Sequence, residues 1–253
     1  MSEILLADKI SIRFGGLQAV DGVTFSVAQG ELLGLIGPNG AGKTTALSLM
    51  TGRLKLDSGR VLLSGRDISG LPTHERVRLG IAMTHQIVRP FPSLTVLENV
   101  VLAAGIGHTR SALGAMTRLS RNKEQDSARE LLKRIGLADY EDAYPGVLPL
   151  GFLKRLEVAR ALALHPKILL LDEPLAGLNQ RETNDLANAI QQLSRDGMTV
   201  ILVEHNLGQV LRIASRLVVL DGGKVISDGK PDLVMENQSV RDAYLGKPRV
   251  AHA

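Results

Sequence analysis

The 253-residue sequence contains no cysteine, which excludes disulfide bonds, thiolate metal sites and cysteine nucleophiles. It also contains no tryptophan and only four phenylalanines and three tyrosines, so aromatic rings for stacking on bases are scarce. Thirty lysines and arginines against 26 aspartates and glutamates give a net charge of +4, with no run of five like charges. We therefore expect no nucleic-acid partner.

Long apolar runs are missing as well. The longest uncharged segments, 32–42, 99–109 and 143–153, have 11 residues each, whereas a membrane-spanning helix needs about 20 predominantly apolar residues. The N-terminal residues do not show the basic, apolar and small-residue order of a secretory signal. We expect a cytosolic chain that does not cross a membrane. Its hydrophobic content of 44% predicts a buried core and argues against disorder.

The pattern of apolar residues predicts three regions of different character. Alternating stretches at 4–14 and 23–27, separated by the turn signals Gly15-Gly16 and Asp21-Gly22, predict an antiparallel sheet near the N-terminus. Helical periodicity dominates an inserted region at about 88–160. Apolar strands alternating with helices follow it, which predicts a parallel sheet covered on both faces. We expect residues 1–253 to form a single α/β domain.

The individual elements are predicted with the following bounds. Strands are expected at 31–36, 59–63, 81–84, 168–171, 199–203 and 217–220, and helices at 44–51, 72–79, 95–104, 122–135, 152–164, 180–195 and 206–214.

The most specific motif is a glycine-rich loop between a predicted strand and a predicted helix. Residues 37–44, Gly-Pro-Asn-Gly-Ala-Gly-Lys-Thr, fit G-x-x-x-x-G-K-[ST] at every fixed position. Glycines in such a loop let consecutive backbone N–H groups surround an anion, while Lys43 supplies a charge for the β- and γ-phosphates and the Thr44 hydroxyl can bind Mg²⁺. The alternative is a glycine-rich turn that merely starts a helix. The flanking strand and helix favour nucleotide binding.

Acidic and polar side chains follow three of the apolar strands. Asp172 and Glu173 end one strand, where Asp172 can hold Mg²⁺ and Glu173 can activate a water molecule. Gln86 and His205 follow two other strands and are expected at the same sheet edge. Taken singly, each has a simpler explanation: a solvated turn for Asp-Glu-Pro, and a surface or capping residue for the histidine. Their order along the chain favours the functional interpretation.

In this order and spacing, the motifs resemble those of the ATP-binding subunits of ABC transporters over nearly the whole chain. The resemblance implies a P-loop NTPase core with a parallel sheet, an N-terminal antiparallel β subdomain and an inserted helical subdomain. It also implies ATP and Mg²⁺ as ligands. Short stretches such as Phe91–Val100 and Val203-Glu204-His205 are similar to those of branched-chain amino acid importers.

The resemblance implies a role for each matching residue. Catalytic roles fall on Glu173 as the base, on His205 as the switch histidine and on Gln86, which is also a metal ligand together with Thr44 and Asp172. Nucleotide-binding positions are Phe14 and Val20 against adenine, the loop residues Asn39, Gly40, Ala41, Gly42, Lys43, Thr44 and Thr45, and, for ATP held by an opposite subunit, the signature positions Leu148, Pro149, Leu150 and Gly151. For Phe14, a place in the core of the first sheet is the alternative.

Two segments depart from the family pattern. The signature Leu-Ser-Gly-Gly-Gln is replaced by Leu148-Pro149-Leu150-Gly151-Phe152, in which proline supplies neither a hydroxyl nor an N–H group. The N-terminus of the following helix can still present N–H groups to a phosphate, so weakened closure is expected. Asn179 replaces the usual aspartate of the loop that crosses the dimer. A heterodimer with an intact partner signature would have unequal sites.

The leading functional hypothesis is an ATP-hydrolysing motor subunit of an ABC importer, peripheral to the cytoplasmic face of the cell membrane. Its expected partners are integral membrane permeases, a second ATP-binding subunit and, indirectly, a solute-binding protein. Phe91, bracketed by Pro90 and Pro92, is the expected permease contact, unless it packs under the helical insertion. Alternatives are an ABC-type ATPase not coupled to transport and, with less support, a small-molecule kinase.

Overall fold

The structure is a computed structural model that describes residues 2–84, 89–108 and 121–245. Strands in these ranges form two sheets. They are β1 (Glu3–Phe14), β2 (Leu17–Ala28), β3 (Leu32–Ile36), β4 (Ser58–Leu63), β5 (Arg66–Asp67), β6 (Ile81–Met83), β7 (Ile168–Asp172), β8 (Thr199–Val203), β9 (Arg216–Asp221) and β10 (Lys224–Gly229).

Helices cover both faces of the larger sheet and fill much of the region between β6 and β7. Their bounds are α1 (Lys43–Thr51), α2 (Thr73–Leu79), α3 (Val96–His108), α4 (Arg121–Arg134), α5 (Leu150–Leu162), α6 (Gln180–Arg195), α7 (Leu207–Ile213), α8 (Pro231–Glu236) and α9 (Gln238–Leu245). Among the described residues, no helix combines the length and apolar character needed to span a bilayer.

The smaller sheet is antiparallel, in the order β2-β1-β4-β5, which confirms the predicted N-terminal subdomain. The larger sheet has the order β10-β9-β3-β8-β7-β6. Its strands β3, β6, β7, β8 and β9 are parallel, as expected, whereas β10 pairs with β9 in the antiparallel direction. The carboxyl ends of the parallel strands therefore meet at one edge, where the loop before α1 begins.

Two hydrophobic layers hold this arrangement together. Alternate residues of the parallel strands point to opposite faces, so Leu33 and Leu35 lie in one layer and Leu32 and Ile36 in the other. The first layer packs α1 and the antiparallel sheet against the parallel sheet. The second joins the sheet to α3, α4, α5 and α6, so the inserted helices share a continuous core with the strands.

The structure differs from the local expectations at several places. The Asp21-Gly22 pair is not a turn: it lies inside β2, where Val20 and Val23 pair with Ile12 and Ile10 across one extra residue, a β-bulge. A positive φ of 61° at Gly22 accommodates it. β10 and the two C-terminal helices are not predicted by the pattern. The predicted 95–104 helix extends to His108, and the predicted 152–164 helix begins two residues earlier, at Leu150.

Candidate active site

The glycine-rich loop connects the end of β3 to the start of α1, as predicted. Gly42 is the N-cap of α1 with φ 99°, and Gly40 has φ 80°, both in the left-handed region that favours glycine. A side chain at Gly42 would also clash, because its Cβ would lie 2.5 Å from the carbonyl oxygen of Ala19. The loop thus needs glycine for its conformation and for close contact with β2.

A cavity of about 520 Å³ opens above this loop. It brings together the predicted loop residues, one predicted aromatic residue and two predicted catalytic residues. Its lining is Phe14, Leu17, Gln18, Ala19, Asn39, Gly40, Ala41, Gly42, Lys43, Thr44, Thr45, Glu173, His205 and Gly222.

Lys43 lies buried at the base of the cavity. Its Nζ donates hydrogen bonds to the carbonyl oxygens of Gly37, at 2.8 Å, and Pro38, at 2.9 Å. Burial lowers the pKa of the Lys43 ammonium, and the negative charges of Glu173 and Asp172 oppose this shift. The opposing charges favour the cationic form. Lys43 is therefore placed to interact with a phosphate in the loop.

Asp172 ends β7 beside the first turn of α1. The Thr44 hydroxyl donates a hydrogen bond to Asp172 Oδ1 at 3.3 Å, although 128 residues separate the two. Burial and the neighbouring charge of Glu173 raise the pKa of Asp172, while the Thr44 hydrogen bond and Lys43 lower it. A hydroxyl and a carboxylate oxygen fit Mg²⁺, which is commonly bound by one or two carboxylates together with substrate phosphates.

Metal ligands beyond this pair are not clustered in the described ranges. No group of three or more histidine, cysteine, aspartate or glutamate side chains suitable for a metal is present there.

Glu173 and His205 face each other at the rim of the cavity. His205 Nε2 lies 2.5 Å from Glu173 Oε1, across 32 residues of sequence. Glu173 has φ 51°, a left-handed conformation that is unfavourable for a non-glycine residue and that recurs at functional sites. A carboxylate in this place, next to the phosphate loop, can accept a proton from water.

The structure distinguishes the two residues expected at adenine. Phe14 is partly exposed and lines the cavity, next to Leu17, Gln18 and Ala19, which the sequence pattern did not single out. Val20 is 0% exposed and belongs to the core beneath the loop. It is not among the residues that line the cavity, and its predicted place against adenine stays a prediction.

The signature positions do not reach this cavity. Leu148 is buried, Pro149 is exposed at the N-cap of α5, and Leu150 is exposed in its first turn. Pro149 makes no side-chain capping hydrogen bond, as expected from its lack of a polar group. Gly151 packs against Glu182, because a Cβ there would lie 2.8 Å from Glu182 Oε1. Within one chain, residues 148–151 are thus apart from the phosphate loop.

Of the two remaining predicted positions, the structure describes only one. Gln86 lies outside the described residues. Asn179, which replaces an aspartate of the family, is the N-cap of α6: its side chain accepts the N–H of Glu182 at 3.0 Å, and the Glu182 carboxylate accepts the N–H of Asn179 at 3.1 Å. Asparagine and aspartate are about equally good at this capping position, so the replacement preserves the helix start.

Two buried charged residues behind the Glu173–His205 pair are not predicted as site residues. Glu204 accepts backbone hydrogen bonds from Leu175 and His205, and the Lys154 ammonium donates to the carbonyl oxygen of Glu173. Burial raises the pKa of Glu204, against the effect of its two backbone hydrogen bonds. The available signal for Glu204 was its place directly after the apolar strand β8, next to His205.

Comparison with known proteins agrees with this fold. The family model described as ABC transporter matches residues 20–176, more than half of the chain. The chain belongs to the ABC transporter family, as an ATP-binding subunit.

Curated relatives match the chain almost from end to end. The high-affinity branched-chain amino acid transport ATP-binding protein BraF of Pseudomonas aeruginosa is 38% identical over 250 residues, covering 96% of this chain and 98% of that protein. LivG of Escherichia coli, of the same description, is 37% identical over 257 residues, covering 98% and 100%. The lipopolysaccharide export system ATP-binding protein LptB of Haemophilus influenzae is 34% identical over 244 residues, covering 96% and 98%.

Solved structures match in the same way. The crystal structure of a nucleotide-free ATP-binding cassette from an ABC transporter has a TM-score of 0.85 at 32% identity, covering 97% of this chain and 100% of that chain. A dimeric post-hydrolysis state of an ATP-binding cassette bound to ADP and Pi has a TM-score of 0.77 at 26% identity, covering 90% and 99%. The predicted ABC-type fold is confirmed.

Proposed function

We propose that this chain is the ATP-hydrolysing motor subunit of an ABC importer for branched-chain amino acids or related small solutes. The observation that carries the ATPase mechanism is the Glu173–His205 pair, which lines one cavity together with residues 39–45 of the phosphate loop and helix start. The solute class rests on the two branched-chain amino acid transport relatives and their near-complete coverage.

ATP binding follows from the arrangement of the loop. Backbone N–H groups of residues 39–45 at the start of α1 can surround the phosphates, because a helix N-terminus favours anions. Lys43 adds a positive charge at the same place, and the partly exposed Phe14 ring can stack on adenine. Thr44 and Asp172 would hold Mg²⁺ against the β- and γ-phosphates. When bound, that ion neutralises charge on the phosphates.

Hydrolysis requires a water molecule directed at the γ-phosphate. Glu173 accepts a proton from this water, since its carboxylate lines the cavity beside the phosphate loop. His205 holds the carboxylate from the other side and fixes its orientation. Gln86 is proposed to take part as a metal and water ligand, by its place in the motif order.

The remaining part of the active site is proposed to come from a second ATP-binding subunit. Segment 148–151 lies apart from the chain's own cavity, and a dimeric cassette is among the structures that share the fold. In such a dimer, the N-terminus of α5 from each chain faces ATP bound by the other. Closure around ATP and release after hydrolysis then provide the motion that drives transport.

Transport itself requires membrane partners. We propose integral permease subunits contacted by Phe91, a solute-binding protein that acts through those permeases, and a position on the cytoplasmic face of the cell membrane. Phe91 is 44% exposed, which supports a contact surface over complete burial under the helical insertion. The Arg160 guanidinium lies 5.2 Å from its ring centroid, on the inner side of this surface.

Uptake by intact cells tests the proposed function. The chromosomal copy is replaced by a Glu173→Gln or Lys43→Ala variant, and uptake of radiolabelled leucine, isoleucine and valine is measured beside an unrelated solute. We expect branched-chain uptake to fall in both variants while the unrelated solute enters normally. Unchanged uptake of every small solute in both variants, with loss of ATP hydrolysis in the purified chains, would instead support an ATPase not coupled to import.

A further inference from the structure

A buried lysine lies directly behind the proposed catalytic pair. Lys154, in the second turn of α5, is only 5% exposed. Its Nζ donates a hydrogen bond to the backbone carbonyl oxygen of Glu173 at 3.3 Å. Burial lowers the pKa of Lys154, and the charges of Glu157, Glu204 and Glu173 oppose that shift. Burying an ammonium group costs free energy. A buried lysine that makes a specific hydrogen bond is therefore a candidate for a role beyond packing.

The carbonyl that Lys154 contacts belongs to a strained residue. Glu173 has φ 51°, a conformation that costs on the order of 1–3 kcal/mol for a non-glycine residue and persists only where its surroundings enforce it. The Glu173 N–H donates to the carbonyl oxygen of Val203 at 2.9 Å, and the Ala176 N–H donates to the Glu173 carbonyl at 3.3 Å. Lys154 adds a restraint on the same carbonyl from a different part of the chain.

Glu204 restrains the other side of the pair. It is 3% exposed, and its Oε1 accepts the N–H of Leu175 at 2.6 Å while its Oε2 accepts the N–H of His205 at 3.2 Å. One carboxylate therefore ties the turn after Glu173 to the backbone of His205. Both hydrogen bonds are charge-assisted, which makes them stronger than neutral ones.

We propose that Lys154 is a positioning residue that, together with Glu204, fixes the Glu173–His205 pair and links it to α5. The proposal rests on the proposed two-subunit ATPase. In that assembly, the N-terminus of α5 faces ATP held by the partner, whereas Glu173 acts on ATP held by its own chain. Lys154 lies on α5 and contacts Glu173, so a displacement of α5 at one composite site is transmitted to the base of the other.

Single-turnover hydrolysis with the purified full-length chain in excess over radiolabelled ATP tests this linkage, with the ATP Kd measured in parallel. Lys154→Met removes the charge and the donor while keeping a similar shape. We expect its hydrolysis rate constant to fall by about tenfold to a hundredfold, because small misplacement of a catalytic group has effects of this order. The Kd should stay within about threefold of wild type, and Lys154→Arg should recover part of the lost rate.

The neighbouring Arg155 offers a matched control. It lies on the same helix but donates to the Ile135 carbonyl oxygen at 3.2 Å and pairs with Asp185 at 3.5 Å, away from the Glu173 turn. Arg155→Met is expected to lower stability and to leave the rate per folded molecule nearly unchanged. Equal rate losses in Lys154→Met and Arg155→Met would show that Lys154 has only a structural role, and would overturn the proposal.

A second variant covers the case in which Lys154→Met does not fold. Glu204→Gln retains one oxygen for the Leu175 N–H but places an NH2 group, which cannot accept, opposite the His205 N–H. A rate loss of about fivefold or more at unchanged Kd is expected. A rate within twofold of wild type in the folded Lys154 or Glu204 variants contradicts the linkage. The proposed function would still stand if Glu173→Gln were inactive. If Glu173→Gln hydrolysed ATP normally, the assignment of Glu173 as the catalytic base would be wrong.

Discussion

At the scale of single residues, Lys43 and Glu173 line one cavity but act on different partners. In the proposed mechanism, Lys43 contacts the phosphates of bound ATP, whereas Glu173 acts on water during hydrolysis. Lys43→Ala removes charge-assisted hydrogen bonds worth about 1.5–3 kcal/mol each, so we expect ATP affinity to fall roughly tenfold to a hundredfold. Titration with a fluorescent ATP analogue measures this, with the exposed Lys55→Ala as a control of equal charge change. Equal affinity in the two variants would refute the assignment of Lys43.

Glu173→Gln should separate binding from chemistry. Glutamine has nearly the same shape but is not a base at neutral pH, so hydrolysis should fall by about 10²–10⁴-fold while ATP affinity stays close to wild type. The same titration and a phosphate-release assay report the two quantities. Turnover like that of the wild type would mean that another group accepts the proton.

At the scale of elements, α1 depends on a buried arginine of α2. The guanidinium of Arg76 donates to the carbonyl oxygens of Leu49, at 2.7 Å, and Met50, at 2.9 Å, near the C-terminal end of α1. Arg76→Met removes these buried charged donors, and we expect the free energy of unfolding to fall by about 3 kcal/mol. Urea denaturation tests this, with the exposed Arg78→Met on the same helix as a control. Comparable stability of both variants would contradict the role of Arg76.

In the segment before α3, the Phe91 side chain is exposed while hydrogen bonds hold its backbone. The Asn99 side chain accepts the N–H of Phe91 at 2.8 Å and donates to the Phe91 carbonyl at 3.1 Å, so the backbone is held while the ring is exposed. We expect Phe91→Asp to abolish copurification with the permease subunits because it places a charge in an apolar contact. Leu233→Asp, which changes an exposed leucine on α8, should copurify normally. Full yield with Phe91→Asp would place the contact elsewhere.

At the scale of the whole molecule, the sequence predicts most of the nucleotide site because its motifs are local. The loop 37–44 and the strand-end acids Asp172 and Glu173 have fixed spacing, and parallel strands bring their ends to one edge. The bulge at Gly22 is not predicted by the sequence, because a glycine in a bulge and a glycine in a turn have the same local pattern. Lys154 and the backbone of Glu173 meet only after folding, so sequence spacing does not predict their contact.

Several predicted features stay predictions at this scale. The assignment of residues 1–253 to one domain is one of them, and the role of Gln86 is another.

The replaced signature has a consequence that can be measured if the chain pairs with a related subunit. Its own Lys43 and Glu173 would then use the partner's signature, while the partner's ATP would face Pro149.

Unequal sites are therefore expected in a heterodimer. Loss of one hydrogen-bond donor to the transferring phosphoryl group can slow the poorer site by roughly 10²–10³-fold. Glu173→Gln in this chain should then remove most of the turnover of the assembled transporter, while the equivalent change in the partner should cost less. Steady-state ATPase rates of the two single variants measure the difference. Equal losses would reject the asymmetry and would fit a homodimer or a signature that works through its backbone alone.

The most direct measurement of the central claim is ATP-driven uptake in proteoliposomes. The chain is reconstituted with its membrane partners and its solute-binding protein, and leucine uptake and phosphate release are followed in the same sample. We predict that both require ATP, that they rise together when the loaded solute-binding protein is added, and that Glu173→Gln stops both. ATP hydrolysis by the complete assembly without uptake of any branched-chain amino acid or related small solute would contradict the account.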